Sequence, residues 1–549
     1  MSLTHEVFNQ SSPLVDVNLY DAHPALQAAV DAFHPGADRA PLRALGAEMG
    51  SAAMQTHARL ANTHAPVLHT HDVQGRRIDE VEFHPSYHAL LGAALAHGLH
   101  GTPWSHGAGG HVERAAGFML YTEAEPSVLC PVSMTYAVTP SLRANAALHA
   151  DWAPRVAATR YDARFVPGTA KSTVTMGMGM TEKQGGSDVR ANTTRAVPDG
   201  SDAWGRRHAV TGHKWFMSAP MCDAFLVLAQ GPGGLSCYFV PRFRPDGTLN
   251  DIRIQRLKDK LGNHANASSE VEFEAASGWL VGDEGRGVPQ ILAMGALTRL
   301  DCALGTAGLM HAALAVAVQH ARERKAFGRR LVEQPLMRNV LADLALESEA
   351  ATLLAMRLAA AVDRTENGAD TDGHEALMRR VLTPIAKFWV CKRGSHFAQE
   401  AMECLGGNGY VEAAGQGAMA RIYREMPLNS IWEGAGNIQS IDLLRALRAG
   451  PVADALMHEL APARAVSPVV ARHADALHAA LDGDADEIGS RRLARDTALL
   501  VQAALLHRLS PPPLFEAFVA SRLQGANDAF GQLPRAADFD TILARHGAA

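Results

Sequence analysis

The chain has 549 residues, 47% of them hydrophobic and 20% charged, and a net charge of −6. That length exceeds what one compact core holds, so three or four domains are expected, with the composition of an ordinary globular enzyme. The negative balance excludes a general electrostatic pull toward nucleic acid or anionic membrane and leaves only local patches.

Six cysteines are scattered without a CxxC pair. This spacing argues against structural zinc or a disulfide framework and for a reducing, cytoplasmic setting. The start, Met1-Ser-Leu-Thr-His-Glu6, lacks the basic and apolar runs of a signal peptide. No apolar stretch of about twenty residues announces a membrane span. Histidine is plentiful at 26, and His69 and His71 stand two apart, but no HExxH occurs. No metal site is expected, and the histidines read as surface and packing residues.

In chain order, residues 1–170 carry apolar residues at helical spacing, as in Pro41 to Leu60 and Ser86 to His97, and predict a mostly helical N-terminal domain. Residues 171–285 change character. Phe225-Leu-Val-Leu-Ala229 and Leu235-Ser-Cys-Tyr-Phe-Val240 flank Gly231-Pro-Gly-Gly234, a hairpin signature, and Val271-Glu-Phe-Glu274 alternates as a half-buried strand does. A small middle β-domain, barrel or sandwich, is expected here. From 286 to 450, Ile291 to Arg324, Gln334 to Asp363, His374 to Leu405 and Asn437 to Leu447 predict a four-helix bundle. Residues 451–549 add an extra C-terminal helical domain, so the fold class is mainly α with one β-domain.

Five strings carry residues suited to chemistry. Arg424-Glu-Met-Pro-Leu-Asn-Ser-Ile-Trp-Glu-Gly-Ala-Gly-Asn-Ile-Gln439 sets Glu433 between an aromatic and a flexible Gly-Ala-Gly. A carboxylate walled by Trp432 is raised in pKa and suited to take a proton, while Gly434 and Gly436 let backbone approach a ligand. Met176-Gly-Met-Gly-Met-Thr-Glu-Lys-Gln-Gly-Gly-Ser-Asp188 offers hydroxyls at Thr181 and Ser187 and open amides at Gly185 and Gly186, which suit carbonyls, ring nitrogens or phosphate. The others are Thr211-Gly-His-Lys-Trp-Phe-Met-Ser218, Arg322-Glu-Arg-Lys-Ala-Phe-Gly328 and Leu405-Gly-Gly-Asn-Gly-Tyr410.

Taken together and in this order, these strings resemble the acyl-CoA dehydrogenase superfamily. Val7-Phe-Asn-Gln10, Leu129-Cys-Pro-Val-Ser-Met-Thr135, Leu257-Lys-Asp-Lys-Leu-Gly262 and Lys183-Gln184 in place of the commoner proline resemble its AidB-type, isovaleryl-CoA dehydrogenase-like branch of alkylation-response flavoproteins. The resemblance implies FAD as cofactor and α,β-dehydrogenation of an acyl-CoA thioester of a short or branched chain, with Glu433 as catalytic base. It sets Met180, Thr181, Gly186 and Ser187 beside the flavin ring and phosphates, Phe216 over one flavin face and Ser218 near N5. It also implies cofactor contacts at Arg324, Phe327, Gln334, Gly406, Gly407, Asn408, Gly409, Trp432, Gly434 and Asn437. Arg324 and Phe327 would reach into a neighbouring subunit, so a homotetramer is expected, and an unnamed electron-transfer partner would reoxidise the flavin. Arg299 falls where the family often has an arginine near the active site.

The branch carries an extra helical domain proposed to contact double-stranded DNA. Arg491, Arg492 and Arg495 could share one helix face and are the candidate contacts, within a wider set that includes Arg464, Arg508 and Arg522. Acids slightly outnumber bases in 451–549 and no lysine occurs there, so a solvated helical face is the better reading of the residues alone. The alternative function is therefore a DNA-associated protein that protects during alkylation stress, with weak or vestigial dehydrogenase activity.

Overall fold

The computed structural model describes residues 4–412, 418–449, 451–482, 486–525 and 528–547. Contacts group the chain into two units. One holds Thr56–Gly110 and Glu125–Asp301, the other Met1–Gln55, His111–Ala124 and Cys302–Ala549. The linear boundaries expected from composition thus mark changes of secondary structure, and the N-terminal helical stretch is shared between the units.

In the barrel unit, β1 (Val67–His71) and β2 (Arg77–Glu82) form an antiparallel hairpin inside the stretch expected to be helical. Its turn closes on Asp72, whose carboxylate accepts from the amides of Gln74 and Arg76, both at 2.9 Å. Gly75 there has φ +82°, which glycine adopts without a Cβ penalty. The main sheet contains β3 (Met176–Gly179), β4 (Arg195–Asp202), β5 (Gly205–Ser218), β6 (Ala224–Gly231), β7 (Gly234–Pro241), β8 (Ile252–Leu257) and β9 (Ser268–Val281). Its order is β3-β6-β4-β5-β9-β7, and a further β6–β7 pairing closes a ring. Closure leaves few open edges to satisfy. The β6–β7 hairpin turns at Gly231 and Gly234 as the sequence indicates, and Val271 and Phe273 point inward from β9 while Glu272 and Glu274 face solvent. An aromatic cluster fills one end: Trp152 and Phe239 stand 4.8 Å apart, and Trp204 and Trp279 5.0 Å.

The bundle unit is built on the helices Gly287–Glu323 (of which it holds the part from Cys302), Pro335–Glu366 and His374–Glu403. The first is long and apolar enough to cross a membrane by composition, yet 89% of its most apolar stretch is buried, as in a core helix. Ala418–Asn429 and Gly436–Leu447 follow, separated by the short loop that carries Glu433. The C-terminal helices Pro451–Val466, Pro468–Asp482 and Ser490–Leu509 belong to this same unit. Arg522 shows why: it is 6% exposed and bonds Glu347 of the Pro335–Glu366 helix at 3.0 Å, and Asp343 at 2.5 Å. All six cysteines are free and buried.

Candidate functional site

The candidate residues fall on both units, and each set is built locally. In the barrel unit the 180–187 loop is anchored by Glu182, whose side chain is fully buried against that of Lys214 on β5 at 2.8 Å. Glu182 also accepts from the amides of Thr193 (2.7 Å) and Thr194 (3.1 Å), and Lys214 donates to the Leu228 carbonyl at 2.9 Å. Burial alone would raise the Glu182 carboxyl. The bonds from Lys214 and the two threonines outweigh that and hold it well below the usual range. Burial pulls the Lys214 ammonium down to about 8 against the raising effect of Glu182. The Thr181 carbonyl then receives the Trp215 amide at 2.8 Å, which ties the loop to β5.

Strand β5 carries a bulge at the same place. Lys214 pairs with Val271 but Met217 with Ser269, so one extra residue is accommodated at Trp215–Phe216. A bulge re-aims side chains, and here Lys214 and Met217 are buried while Phe216 is 50% exposed. An exposed aromatic on a rigid strand is suited to cover a flat ring. Ser218 is half-buried with its hydroxyl 3.3 Å from that of Ser268. Thr181 and Met180 are half-buried, and Gly186 and Ser187 exposed. A Cβ on Gly186 would collide with the Thr181 hydroxyl. These residues fit a planar, phosphate-bearing group: an aromatic face, hydroxyls and uncovered backbone on one loop-strand pair.

In the bundle unit, Glu433 sits between Ala418–Asn429 and Gly436–Leu447 with φ +60°, followed by Gly434 at +97°. A non-glycine residue held left-handed costs about 1–3 kcal/mol and persists only where its surroundings impose it. Three side chains do so. Buried Lys387 donates to the Gly434 carbonyl at 2.9 Å. Gln439 donates to the same carbonyl at 2.9 Å and to that of Glu433 at 3.2 Å. Asn429 accepts from the Trp432 indole at 3.1 Å and donates to buried Thr306 at 3.1 Å, fixing the residue before the glutamate. Glu433 itself is half-buried.

Arg322–Gly328 also takes a defined form. Lys325–Ala326 and Arg329–Arg330 pair as a minimal hairpin whose tip, Phe327 (φ +52°) and Gly328 (+78°), has the two left-handed residues of a tight turn. Phe327 is 99% exposed. The N-terminal segment docks beside it: Asn9 exchanges two hydrogen bonds with the Lys325 backbone, at 2.7 and 2.9 Å, and Arg324 donates to the Asn9 carbonyl. Gln334 donates to the Ala326 carbonyl at 3.0 Å. Gly406 (φ +61°) ends the His374–Glu403 region, and Gly407, Asn408 and Gly409 begin a short turn of helix in which Asn408 lies 3.5 Å from Gln10. Arg324, Phe327, Gln334 and the 406–409 turn therefore share one unit with the N-terminal segment.

Residues 9–163 match the adaptive response protein AidB N-terminal domain, 177–276 the acyl-CoA dehydrogenase middle domain, and 285–448 the acyl-CoA dehydrogenase C-terminal domain. The chain is 46% identical over 521 residues to the putative acyl-CoA dehydrogenase AidB of Escherichia coli (strain K12), covering 94% of both. The chain belongs to the AidB branch of the acyl-CoA dehydrogenase family. It is a dehydrogenase-type flavoprotein by family. Acyl-CoA dehydrogenase family member 11 of Caenorhabditis elegans is 29% identical over 80% of this chain and 72% of its own. Among solved structures, the Bd2924 apo-form matches with a TM-score of 0.84 at 29% identity over 92% of this chain and 100% of that one. The structure of C. elegans ACDH-11 in complex with C11-CoA matches at 0.83, with 24% identity, over 95% and 93%.

Against this family frame, the residues that sequence reading missed are the supports. Glu182, Lys214, Lys387, Gln439 and Asn429 lie inside or between the quoted strings, but several of their partners are far along the chain, 14 positions in Lys214–Leu228 and 123 in Asn429–Thr306. A cavity of about 340 Å³ in the barrel unit is lined by Tyr87, His88, Tyr161, Arg242 and Phe243. None of the AidB-type cofactor positions lines it. The candidate DNA contacts divide. Arg492 and Arg495 are exposed on the Ser490–Leu509 helix, with Arg495 3.3 Å from Asp496. Arg491 instead donates to Asn437 at 2.6 Å and stacks over Phe388 at 5.5 Å. Arg522 is removed from the wider DNA set by its buried bonds to Asp343 and Glu347, and Arg464 bonds Asp475 at 2.5 Å.

Proposed function

We propose that the chain is an FAD-dependent acyl-CoA dehydrogenase acting on a short or branched acyl thioester, with Glu433 removing the proton α to the carbonyl. The observation that carries this is the Glu433 loop: a strained left-handed glutamate whose own carbonyl accepts from Gln439 and whose successor's carbonyl, that of Gly434, accepts from Gln439 and Lys387. Strain so over-determined suits a side chain that must meet a reacting carbon at fixed geometry. Bound FAD supplies the acceptor of the β-hydride. Thr181, Ser187 and the Gly186 amide would hold it, Phe216 would cover it and exclude water, and Ser218 would address its ring edge. Glu433→Gln is expected to retain FAD and to lose reduction by acyl-CoA in anaerobic titration; reduction at the wild-type rate would remove Glu433 from the role.

We further propose a cytoplasmic homotetramer, supported by six buried free thiols and by the exposed apolar side chains of Phe8, Phe327 and Tyr410 on the segments that meet around Asn9. A second reading, association with double-stranded DNA, rests on Arg492 and Arg495. Deleting 451–549 would strip Arg522 from Asp343 and Glu347 and unsettle the bundle, so it is a poor test. Arg492→Glu/Arg495→Glu is the cleaner one: if these two residues neutralise phosphates, salt-dependent duplex binding drops and the salt slope falls by about 2. Unchanged binding would dismiss them.

A further inference from the structure

Away from these sites, the bundle unit buries a group that the AidB-type reading does not use. His23 caps the helix Pro24–Phe33, Glu123 lies near the end of Gly110–Ala124, and His311 is in the middle of Gly287–Glu323. Their exposures are 1%, 8% and 3%. One ligand-type atom of each lies within 4.8 Å of the others. The His311 Nδ1 is 2.9 Å from one Glu123 oxygen. The other oxygen is 3.4 Å from His23 Nδ1, and neither of those two atoms has a hydrogen-bond partner.

Two buried ligand-type atoms facing each other at 3.4 Å are placed to share a cation. Zinc bonds of about 2.0–2.2 Å in a tetrahedron separate neighbouring ligand atoms by about 3.3–3.5 Å. Arg545, whose charge acts on His23, is engaged with Glu349 at 2.8 and 3.0 Å and is not available to the group. A carboxylate this deeply buried is costly unless its partners balance it.

We propose that His23, Glu123 and His311 form a buried binding site for a divalent transition metal of the zinc class. Two imidazoles and a carboxylate are a recurrent zinc ligand set. The rings stack at 3.6 Å with planes 3° apart, so ligation would fan them open to bring one ion into both planes. His546 stands next to the group, its ring centre 6.2 Å from that of His311 and both its nitrogens buried without partners. It is the residue placed to complete the coordination. Such an ion would fasten the N-terminal helix and the C-terminal residues onto the Gly287–Glu323 helix. The sequence gives no hint of it, because the three ligands are separated by 100 and 188 positions and match no metal spacing.

The test uses the full-length protein. Elemental analysis after extensive dialysis is expected to find about one zinc-class ion per chain. Chelated protein titrated with Zn²⁺ should rise in thermal midpoint, and with Co²⁺ should develop the intense visible bands of a tetrahedral site at wavelengths beyond the flavin's own absorption. Glu123→Gln, which keeps volume and a partner for His311, should lose the bound ion, and His546→Ala should weaken it. Two results overturn the proposal: wild-type protein that neither retains nor takes up either ion, so that a proton alone joins the group, or an undiminished metal equivalent in Glu123→Gln, which places the ion elsewhere.

Discussion

Replacing Lys214 by methionine isolates the contact on which the barrel-unit site depends. The side chains of Lys214 and Glu182 are both fully buried, 2.8 Å apart. The variant leaves Glu182 its threonine bonds but no cation. Breaking a buried ion pair from one side costs about 3–5 kcal/mol, because the remaining charge is neither solvated nor balanced. Glu182→Gln/Lys214→Met removes both charges and should recover at least half of that loss, as a coupling between touching residues requires. The pH dependence supplies a second check. In the wild type the Glu182 pKa is depressed, so its contribution is present above the unfolded carboxylate pKa and is lost as pH falls through the folded value. In Lys214→Met burial raises it instead, so acidification should relieve the damage and the acid limb should reverse in sign. Thermal unfolding by circular dichroism, with FAD content read by absorbance, measures both. Additive single and double effects, or a Lys214→Met protein as stable and as yellow as wild type, would refute the reasoning.

Gly434→Ala adds a Cβ 2.8 Å from the Gln439 amide at φ +97°, and should lower turnover far more than FAD content; equal turnover would show that the loop geometry is not used. Lys387→Met leaves the Gly434 carbonyl with Gln439 alone, and should cost about 1–3 kcal/mol in transition-state stabilisation, read as a fall in kcat with KM little changed. Phe327→Asp should fold normally yet sediment as a smaller species and bind FAD at least about tenfold more weakly, since burying a phenylalanine contributes about 1.5–3 kcal/mol; unchanged assembly would dissociate the hairpin tip from any interface. His111 is 1% exposed, and burial lowers it from 6.5 to about 4. Between those values the unfolded chain binds the extra proton, so stability falls as pH falls, by up to about 3 kcal/mol, and His111→Gln should flatten that decline in acid denaturation.

What could be read in the sequence was local. The β6–β7 hairpin and the alternation of Val271 to Glu274 announced the barrel because turn chemistry and period 2 act over a few residues. The Glu433 string was legible because an aromatic, a carboxylate and a glycine are contiguous. Its supports were not, since Lys387 reaches Gly434 from another helix and Thr306 meets Asn429 from a third. The bulge at Trp215–Phe216 was equally hidden: it is a mismatch of register against β9, which only pairing reveals. The β1–β2 hairpin was passed over because two short strands lay within a stretch dominated by helical spacing.

In the C-terminal hundred residues the charge count favours a solvated helical face over a phosphate surface, but it does not show where the arginines go. In the structure Arg522 neutralises Asp343 and Glu347, Arg545 bonds Glu349, and Arg491 reaches Asn437 beside the Glu433 loop. The helix Ser490–Leu509 is tied to Gly436–Leu447 through Ser490 and Ser440, whose hydroxyls are 3.1 Å apart and buried. This segment therefore completes the bundle and steadies the helix that follows the Glu433 loop. If so, Arg491→Ala should lower dehydrogenase turnover without altering duplex binding, whereas Arg492→Ala should leave turnover intact. The opposite pattern would make the arginine row a nucleic-acid surface and leave the loop independent of it.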